Sequence, residues 1–275
     1  VWQEHVDINF GKEDKKIGEY AIKSLKTAVS ALKEKKIDVL VTAPINKSNI
    51  QSETFNFPGH TDYLAQELKG NSLMLLISGD LRVGLLTDHV AVKDVVKNIT
   101  SEVIEKKINT IHDTLIQDFG IRKPKIAVLG INPHNGDNGV IGNEDDTVLK
   151  PSLEILRKND KLVYGPYAAD SFFGSGNYKN FDAIIASYHD QGLIPFKTLA
   201  FGKGVNYTAG LNRVRTSPDH GTAYDVAGKN EADFESFKEA VFNAIQIFKK
   251  RKEYKKISKN PLKTSQKKSF SKKKR

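Results

Sequence analysis

A chain of 275 residues with 39% hydrophobic and 28% charged residues is large enough for one substantial α/β domain or two modest ones, with no staple needed to hold its core. It has no cysteine, which excludes disulfides, thiolate zinc sites and cysteine nucleophiles, leaves any metal to His, Asp or Glu, and makes a reducing, cytoplasmic compartment the expectation. Its longest apolar runs, Leu73–Ile77 and Ala183–Ala186, are far too short to span a membrane.

The net charge of +10 is not spread evenly: residues 249–275 carry fourteen basic side chains against the single acid Glu253, leaving 29 basic and 32 acidic residues in the body. The body is therefore slightly acidic. The low-complexity run Ser265–Arg275 reads as a disordered, solvated tail that attracts nucleic acid only non-specifically.

In chain order, Ile17, Tyr20, Ala21, Leu25, Ala28, Val29 and Leu32 recur at three- and four-residue spacing, so Asp14–Lys35 is predicted as an amphipathic helix, followed by a buried strand at Ile37–Thr42. Strand-length apolar runs follow at Leu73–Ser78, Val83–Thr87, Ile126–Ile131 and Phe181–Ser187. Helical period and length mark Ser101–Asp118, Asp145–Lys158 and Ala232–Lys250. Alternation of this kind predicts an α/β fold, a largely parallel sheet covered by helices. Gly and Pro punctuate the joints, as at Ala43-Pro44, Asn132-Pro133 and Gly165-Pro166.

Three predicted strands run into a histidine: His89, His134 and His189. Ligand crevices of α/β sheets lie at strand ends, so three imidazoles there can converge on a zinc-like divalent ion. Polar loops surround them. Gly59-His60-Thr61-Asp62 precedes a helix and suits an anion, although an ordinary cap by Thr61 fits equally well locally. Tyr188-His189-Asp190-Gln191-Gly192 followed by Lys197 sets a ligand, a carboxylate and a cation close together. Asn206, Arg215, Thr216, Ser217, Asp219 and His220 form a further polar cluster in which Arg215 offers a bidentate contact to phosphate or carboxylate.

At these residues the sequence resembles the 4-hydroxythreonine-4-phosphate dehydrogenase (PdxA) family of pyridoxine phosphate biosynthesis. The resemblance is carried, in order, by Val41-Thr-Ala-Pro-Ile-Asn-Lys47, Phe57-Pro-Gly-His-Thr-Asp62, Leu81-Arg-Val-Gly-Leu-Leu-Thr-Asp-His89, Gly130-Ile-Asn-Pro-His-Asn-Gly136, Gly165-Pro-Tyr-Ala-Ala-Asp170, Tyr188-His-Asp-Gln-Gly192 and Arg215-Thr-Ser-Pro-Asp-His-Gly-Thr222. It implies a divalent metal (zinc, magnesium or cobalt) on His89, His134 and His189, and substrate contacts from His60, Thr61, Lys197, Asn206 and Arg215. It also implies acidic groups near the reacting carbons at Asp170 and Asp190. Lys197 is then a proton carrier or phosphate partner, and the two aspartates a base or orienting groups.

The implied reaction is NAD- or NADP-dependent oxidation of 4-phosphooxy-L-threonine to a β-keto acid that loses carbon dioxide, in a homodimer whose metal ligands come from both subunits. No Gly-x-Gly-x-x-Gly follows a strand, so the cofactor-binding residues stay unassigned. The implied architecture is two α/β/α subdomains with a cleft between them, similar to isocitrate and isopropylmalate dehydrogenases and lacking the usual N-terminal stretch. Residues 1–50 plus 205–250 would form the first, 51–204 the second, and 251–275 a basic disordered tail. Asn212 departs from the family's usual proline. Two competing readings are a paralogous dehydrogenase acting on threonate or erythronate 4-phosphate, and an inactive fragment whose basic tail binds nucleic acid.

Overall fold

A computed structural model describes residues 6–53, 55–57 and 59–261. The first helix, α1 (Lys15–Lys33), starts where Asp14 accepts a hydrogen bond from the Lys16 amide (2.8 Å) and buries Ile22, Leu25, Val29 and Leu32 along one stripe. Strand β1 (Val39–Val41) leads into a loop and a short helix, α2 (His60–Glu67). Next come β2 (Gly70–Ser78), β3 (Leu81–Leu85), the single turn α3 (Val95–Asn98) and α4 (Ser101–Phe119), which Thr100 caps and Gly120 ends at a φ of 74°. The remaining elements are β4 (Lys125–Leu129), α5 (Lys150–Lys158), β5 (Leu162–Tyr167), α6 (Ala169–Gly174), β6 (Ala183–Ala186), α7 (His189–Ala200), β7 (Val205–Leu211), β8 (Val214–Pro218) and α8 (Glu235–Ile257).

These strands form one eight-stranded sheet in the order β1-β8-β7-β2-β3-β6-β4-β5. The sheet is mixed: β3, β6, β4 and β5 run parallel, as do β1 and β8, while β7 and β2 are antiparallel to their neighbours. Strand alternation sorts the core into layers. Leu73, Leu75 and Ile77 of β2 face α4 and α8 with Ile104, Ile108, Ile111 and Ile247, whereas Met74 and Leu76 face the side covered by Phe172, Leu193 and Phe196 of α6 and α7. A third cluster joins α1, β1 and α2 through Val29, Leu32, Leu40 and Leu64. The sheet runs without a break across the partition expected between residues 1–50 plus 205–250 and 51–204, because β7 pairs directly with β2.

The basic segment begins differently from expectation. Residues 251–257, assigned to a disordered tail, are the last turns of α8. Arg251 is buried and clamps the buried Asp118 with both guanidinium arms (Nε to Oδ1 2.6 Å, Nη2 to Oδ2 2.7 Å), and it also donates to the Leu211 carbonyl and the Tyr207 hydroxyl. Burial opposes the charge of Arg251, but the bonds to Asp118 and Tyr207 outweigh it and hold the pKa above its ordinary value. Residues 262–275, with the predicted run Ser265–Arg275, lie outside the described residues. Among the described residues no helix is long and apolar enough to cross a membrane.

Candidate active site

The centre of the sheet forms the floor of the site. Asn206, second residue of β7, pairs with Leu76 of β2 on one side and Ser217 of β8 on the other. Above them opens a cavity of about 330 Å³. Its walls come from the loop after β1 (Ala43 to Lys47), the first turn of α2 (His60, Thr61, Asp62), His89 beyond β3, His189 and Lys197 on α7, and the residues at and beyond the end of β8. Seven of the residues expected in the site from sequence therefore meet in one cleft: His60, Thr61, His89, His189, Lys197, Asn206 and Arg215.

One end of this cleft carries a buried cation without a carboxylate partner. Arg215 is 3% exposed, yet its hydrogen-bond partners are hydroxyls, not carboxylates: Nε and Nη2 donate to Thr42 Oγ1 (3.1 and 2.6 Å) and Nη1 to Thr208 Oγ1 (3.1 Å). Burial pushes its pKa down to about 10, the signature of a cation short of a counter-charge. Beside it, burial and then the Arg215 charge push His60 down to about 3, so this imidazole is neutral at physiological pH. The Asn206 Oδ1 is buried without a partner and is free to accept from a ligand. Lys197 reaches in from α7 and donates to the Asp219 carbonyl (3.4 Å).

The other end holds a histidine pair. His89 and His189 follow β3 and β6, which are adjacent in the sheet, so their rings meet with centroids 5.8 Å apart. His89 is held below its ordinary pKa first by burial, then by the charge of Lys47 and by His189; Asp88 and Asp62 pull the other way. His189 Nδ1 lies 2.7 Å from Asp190 Oδ1, which fixes the ring and leaves Nε2 free as a lone-pair donor.

Three imidazoles do not converge within one chain, and this corrects the expectation drawn from the strand ends. Among the described residues no group of three or more His, Asp or Glu side chains is placed to hold a metal ion. The reason lies in β4, which is one strand further out than β3 and β6. In its loop His134, Asn135, Gly136, Asp137 and Asn138 all take positive φ between 45° and 83°, and His134 is exposed on this left-handed turn, outside the cavity lining. Asp170, in the first turn of α6, is also exposed and outside the cavity. The two lie at the same sheet edge, where Asn135 Nδ2 donates to the Pro166 carbonyl (3.2 Å).

Two cavity residues were not singled out from sequence: Lys47 and the role of Asp62. The signal was present in the segment ending at Lys47, which follows a strand, but one lysine after a strand has no distinctive spacing. A second, larger cavity of about 660 Å³ adjoins the first and shares Pro44, Ile45, His220 and Gly221 with it. Its lining is mostly apolar, from Phe10, Ile17, Ala21, Tyr224 and Val226.

The fold and this cleft define an α/β protein with a cation-lined polar cavity beside a histidine pair. The sequence profile of the family described as "Pyridoxal phosphate biosynthetic protein PdxA" matches residues 1–244. A 4-hydroxythreonine-4-phosphate dehydrogenase of Bacteroides thetaiotaomicron is 51% identical over 261 residues, covering 94% of this chain and 72% of that protein. A D-threonate 4-phosphate dehydrogenase of Cupriavidus necator is 40% identical over 245 residues, covering 88% of this chain and 73% of its own. The crystal structure of a 4-hydroxythreonine-4-phosphate dehydrogenase from Klebsiella pneumoniae superposes with a TM-score of 0.76 at 34% identity, covering 86% of this chain and 72% of that one. The chain belongs to the PdxA family.

Proposed function

We propose that the chain oxidises the secondary alcohol of 4-phosphooxy-L-threonine with NAD or NADP, giving a β-keto acid that decarboxylates to 3-amino-2-oxopropyl phosphate, in pyridoxine phosphate (vitamin B6) biosynthesis. The observation that carries this reading is Arg215, a buried guanidinium with hydroxyl partners alone, next to a neutral His60 and an orphaned Asn206 oxygen. A buried cation without a carboxylate costs the folded state energy that an anionic ligand offsets, and the planar fork of arginine fits a phosphate. Lys197 adds a second charge to that phosphate, and the Thr61 hydroxyl and the N-terminus of α2 supply donors.

The reacting carbons then fall toward His89 and His189, with the Asp62 carboxylate on that side to meet the substrate's ammonium group. The donor set fits a divalent ion in part: His89, kept neutral, and His189, oriented by Asp190, would hold it together with a His134 supplied by a second copy of the chain. When bound, such an ion supplies Lewis acidity to the oxygen on the carbon being oxidised. A homodimer of this kind also brings Asp170, on the same edge as His134, to the shared site. The adjoining apolar cavity, which shares Pro44, Ile45, His220 and Gly221 with the first, would hold the nicotinamide cofactor, and that cofactor would supply the hydride acceptor.

The paralogous reading replaces the ammonium by a hydroxyl, as in D-threonate 4-phosphate; Asp62 favours the amino acid. The test is NAD(P)H formation with each substrate side by side, with NAD and NADP, and with and without a chelator. Turnover of 4-phosphooxy-L-threonine that the chelator stops is the expected result; turnover of the threonate phosphate alone would replace the substrate.

A further inference from the structure

The substrate of the proposed reaction has an anionic group at each end of a four-carbon chain, phosphate at one and carboxylate at the other. Arg215 and Lys197 answer the first, so the histidine end of the cavity should carry a cation for the second. Lys47 lines this cavity with His89 and His189, and Arg215 lines it with His60.

Lys47 is presented by a backbone that has little freedom. Gln51 Nε2 donates both to the Lys47 carbonyl (3.2 Å) and to the Phe57 carbonyl (2.9 Å), tying the two loops together. One residue earlier, Asn46 Oδ1 accepts from the Ser48 and Asn49 amides (2.9 and 3.0 Å) and from the Ser48 hydroxyl (2.6 Å), closing a tight turn. Asn46 Nδ2 in turn donates to Glu13 (2.8 Å), just ahead of α1. Gly18 of α1 packs so closely on this turn that a Cβ there would sit 2.1 Å from the Asn49 carbonyl oxygen.

The side chain leaves this fixed backbone along Gly59, where a Cβ would stand 3.9 Å from Lys47 Cε, and it lines the cavity. Its ammonium makes no hydrogen bond or ion pair among the described residues, although lysines elsewhere on the surface, such as Lys33, Lys150 and Lys238, find carboxylates. A rigidly held loop that leaves its cation unpaired over a polar cleft is the arrangement a pre-organised anion contact requires.

We propose that Lys47 binds the substrate carboxylate at the histidine end of the cavity, opposite the phosphate clamp of Arg215, and thereby selects for substrates that carry a carboxylate. The proposal rests on the dehydrogenase reading above. Both contacts together measure the substrate's length, so a molecule with only one anionic end binds through one clamp.

The test compares Lys47→Met and Lys47→Arg with the unaltered protein in steady-state assays with 4-phosphooxy-L-threonine. It also measures inhibition by 3-amino-2-hydroxypropyl phosphate, the same molecule without its carboxylate. Loss of one charged contact raises KM roughly ten- to a hundredfold in Lys47→Met. The arginine variant recovers most of it, and the inhibition constant of the carboxylate-free analogue stays within about twofold of the unaltered protein's. Equal weakening of substrate and analogue would overturn the proposal, because Lys47 would then act as a general cation, and so would an unchanged KM in Lys47→Met. If the unaltered protein turns over no 4-phosphooxy-L-threonine, the dehydrogenase reading itself falls and Lys47 falls with it; turnover with an indifferent Lys47→Met removes Lys47 alone.

Discussion

Replacing Arg215 by methionine separates what the fold needs from what the cavity needs. Burial lowers the Arg215 pKa to about 10, so carrying its charge in the interior costs the folded state about 3 kcal/mol at about 1.4 kcal/mol per pH unit. Because the folded-state value lies below the ordinary one, the cost is fully present at every pH below about 10 and fades only above it. Methionine fills similar space without the charge. Thr42 and Thr208 lose a charged donor, which returns about 1–2 kcal/mol of that gain. Arg215→Met should therefore unfold at the same temperature as the unaltered protein or a few degrees higher, from pH 5 to 8. Inorganic phosphate should raise the Tm of the unaltered protein by mass action and leave that of the variant unmoved, while kcat/KM falls at least about a hundredfold. A variant that melts more than about 5 °C lower, or that phosphate still stabilises, would show that Arg215 is a structural cation and refute the anion-clamp argument.

Further outcomes follow from the same geometry. A chain ending at Lys259 should melt with the full chain, whereas one ending at Lys250 loses Arg251, strands the buried Asp118 charge and should lose about 3–5 kcal/mol in urea unfolding. The folded-state pKa of His60, about 3 against an ordinary 6.5, means that the unfolded chain takes up a proton which the folded one refuses; stability is intact above pH 6.5 and drains as pH falls toward 3. His60→Gln should remove about 2 kcal/mol of that loss by pH 5, seen as a shallower slope of Tm against pH. His189→Ala should abolish both cobalt binding in calorimetry and turnover, while His112→Ala, on α4 with only Asp113 as ring partner, should alter neither. Retained metal in His189→Ala would remove the histidine pair from the site.

How much of this was legible depended on whether one local signal dominated. The 3.6-residue stripe of α1 predicted the helix to within two residues at each end, and the apolar runs placed β2, β3, β4 and β6. The strands β7 and β8 read only as a polar cluster, since Asn206, Arg215, Thr216 and Ser217 interrupt the alternation; they are strands because the neighbours β1 and β2 impose it. Gly192 and Pro195 hid α7 for a similar reason. In the basic segment, charge composition masked a helical period that continues from Ile247 to Arg251, both buried. In the site, residue type and strand-end position picked out residues that line one cavity, among them His60, His89, His189 and Arg215. Chain-internal convergence of His134 failed because spacing in sequence does not register which strands become neighbours.

Three local rules are broken in this chain near the strand tips. A buried guanidinium lacks a carboxylate, a buried amide oxygen on Asn206 lacks a donor, and residues 134–138 run through successive left-handed conformations. The stretch leading into the last is anchored by Asp145, fully buried, which accepts from the Ile131 and Asn132 amides (2.8 and 2.9 Å), and the Gly142 carbonyl leaves room only for glycine at 136, where a Cβ would stand 2.1 Å from it. Each break costs stability in the isolated chain: a desolvated charge at Arg215, an unpaired oxygen at Asn206, and a run of left-handed residues ahead of the exposed Val140 and Ile141. Features that agree across all levels, such as the isoleucine stripe of α4, carry the fold; these disagreements lie around the cleft and in the loop after β4.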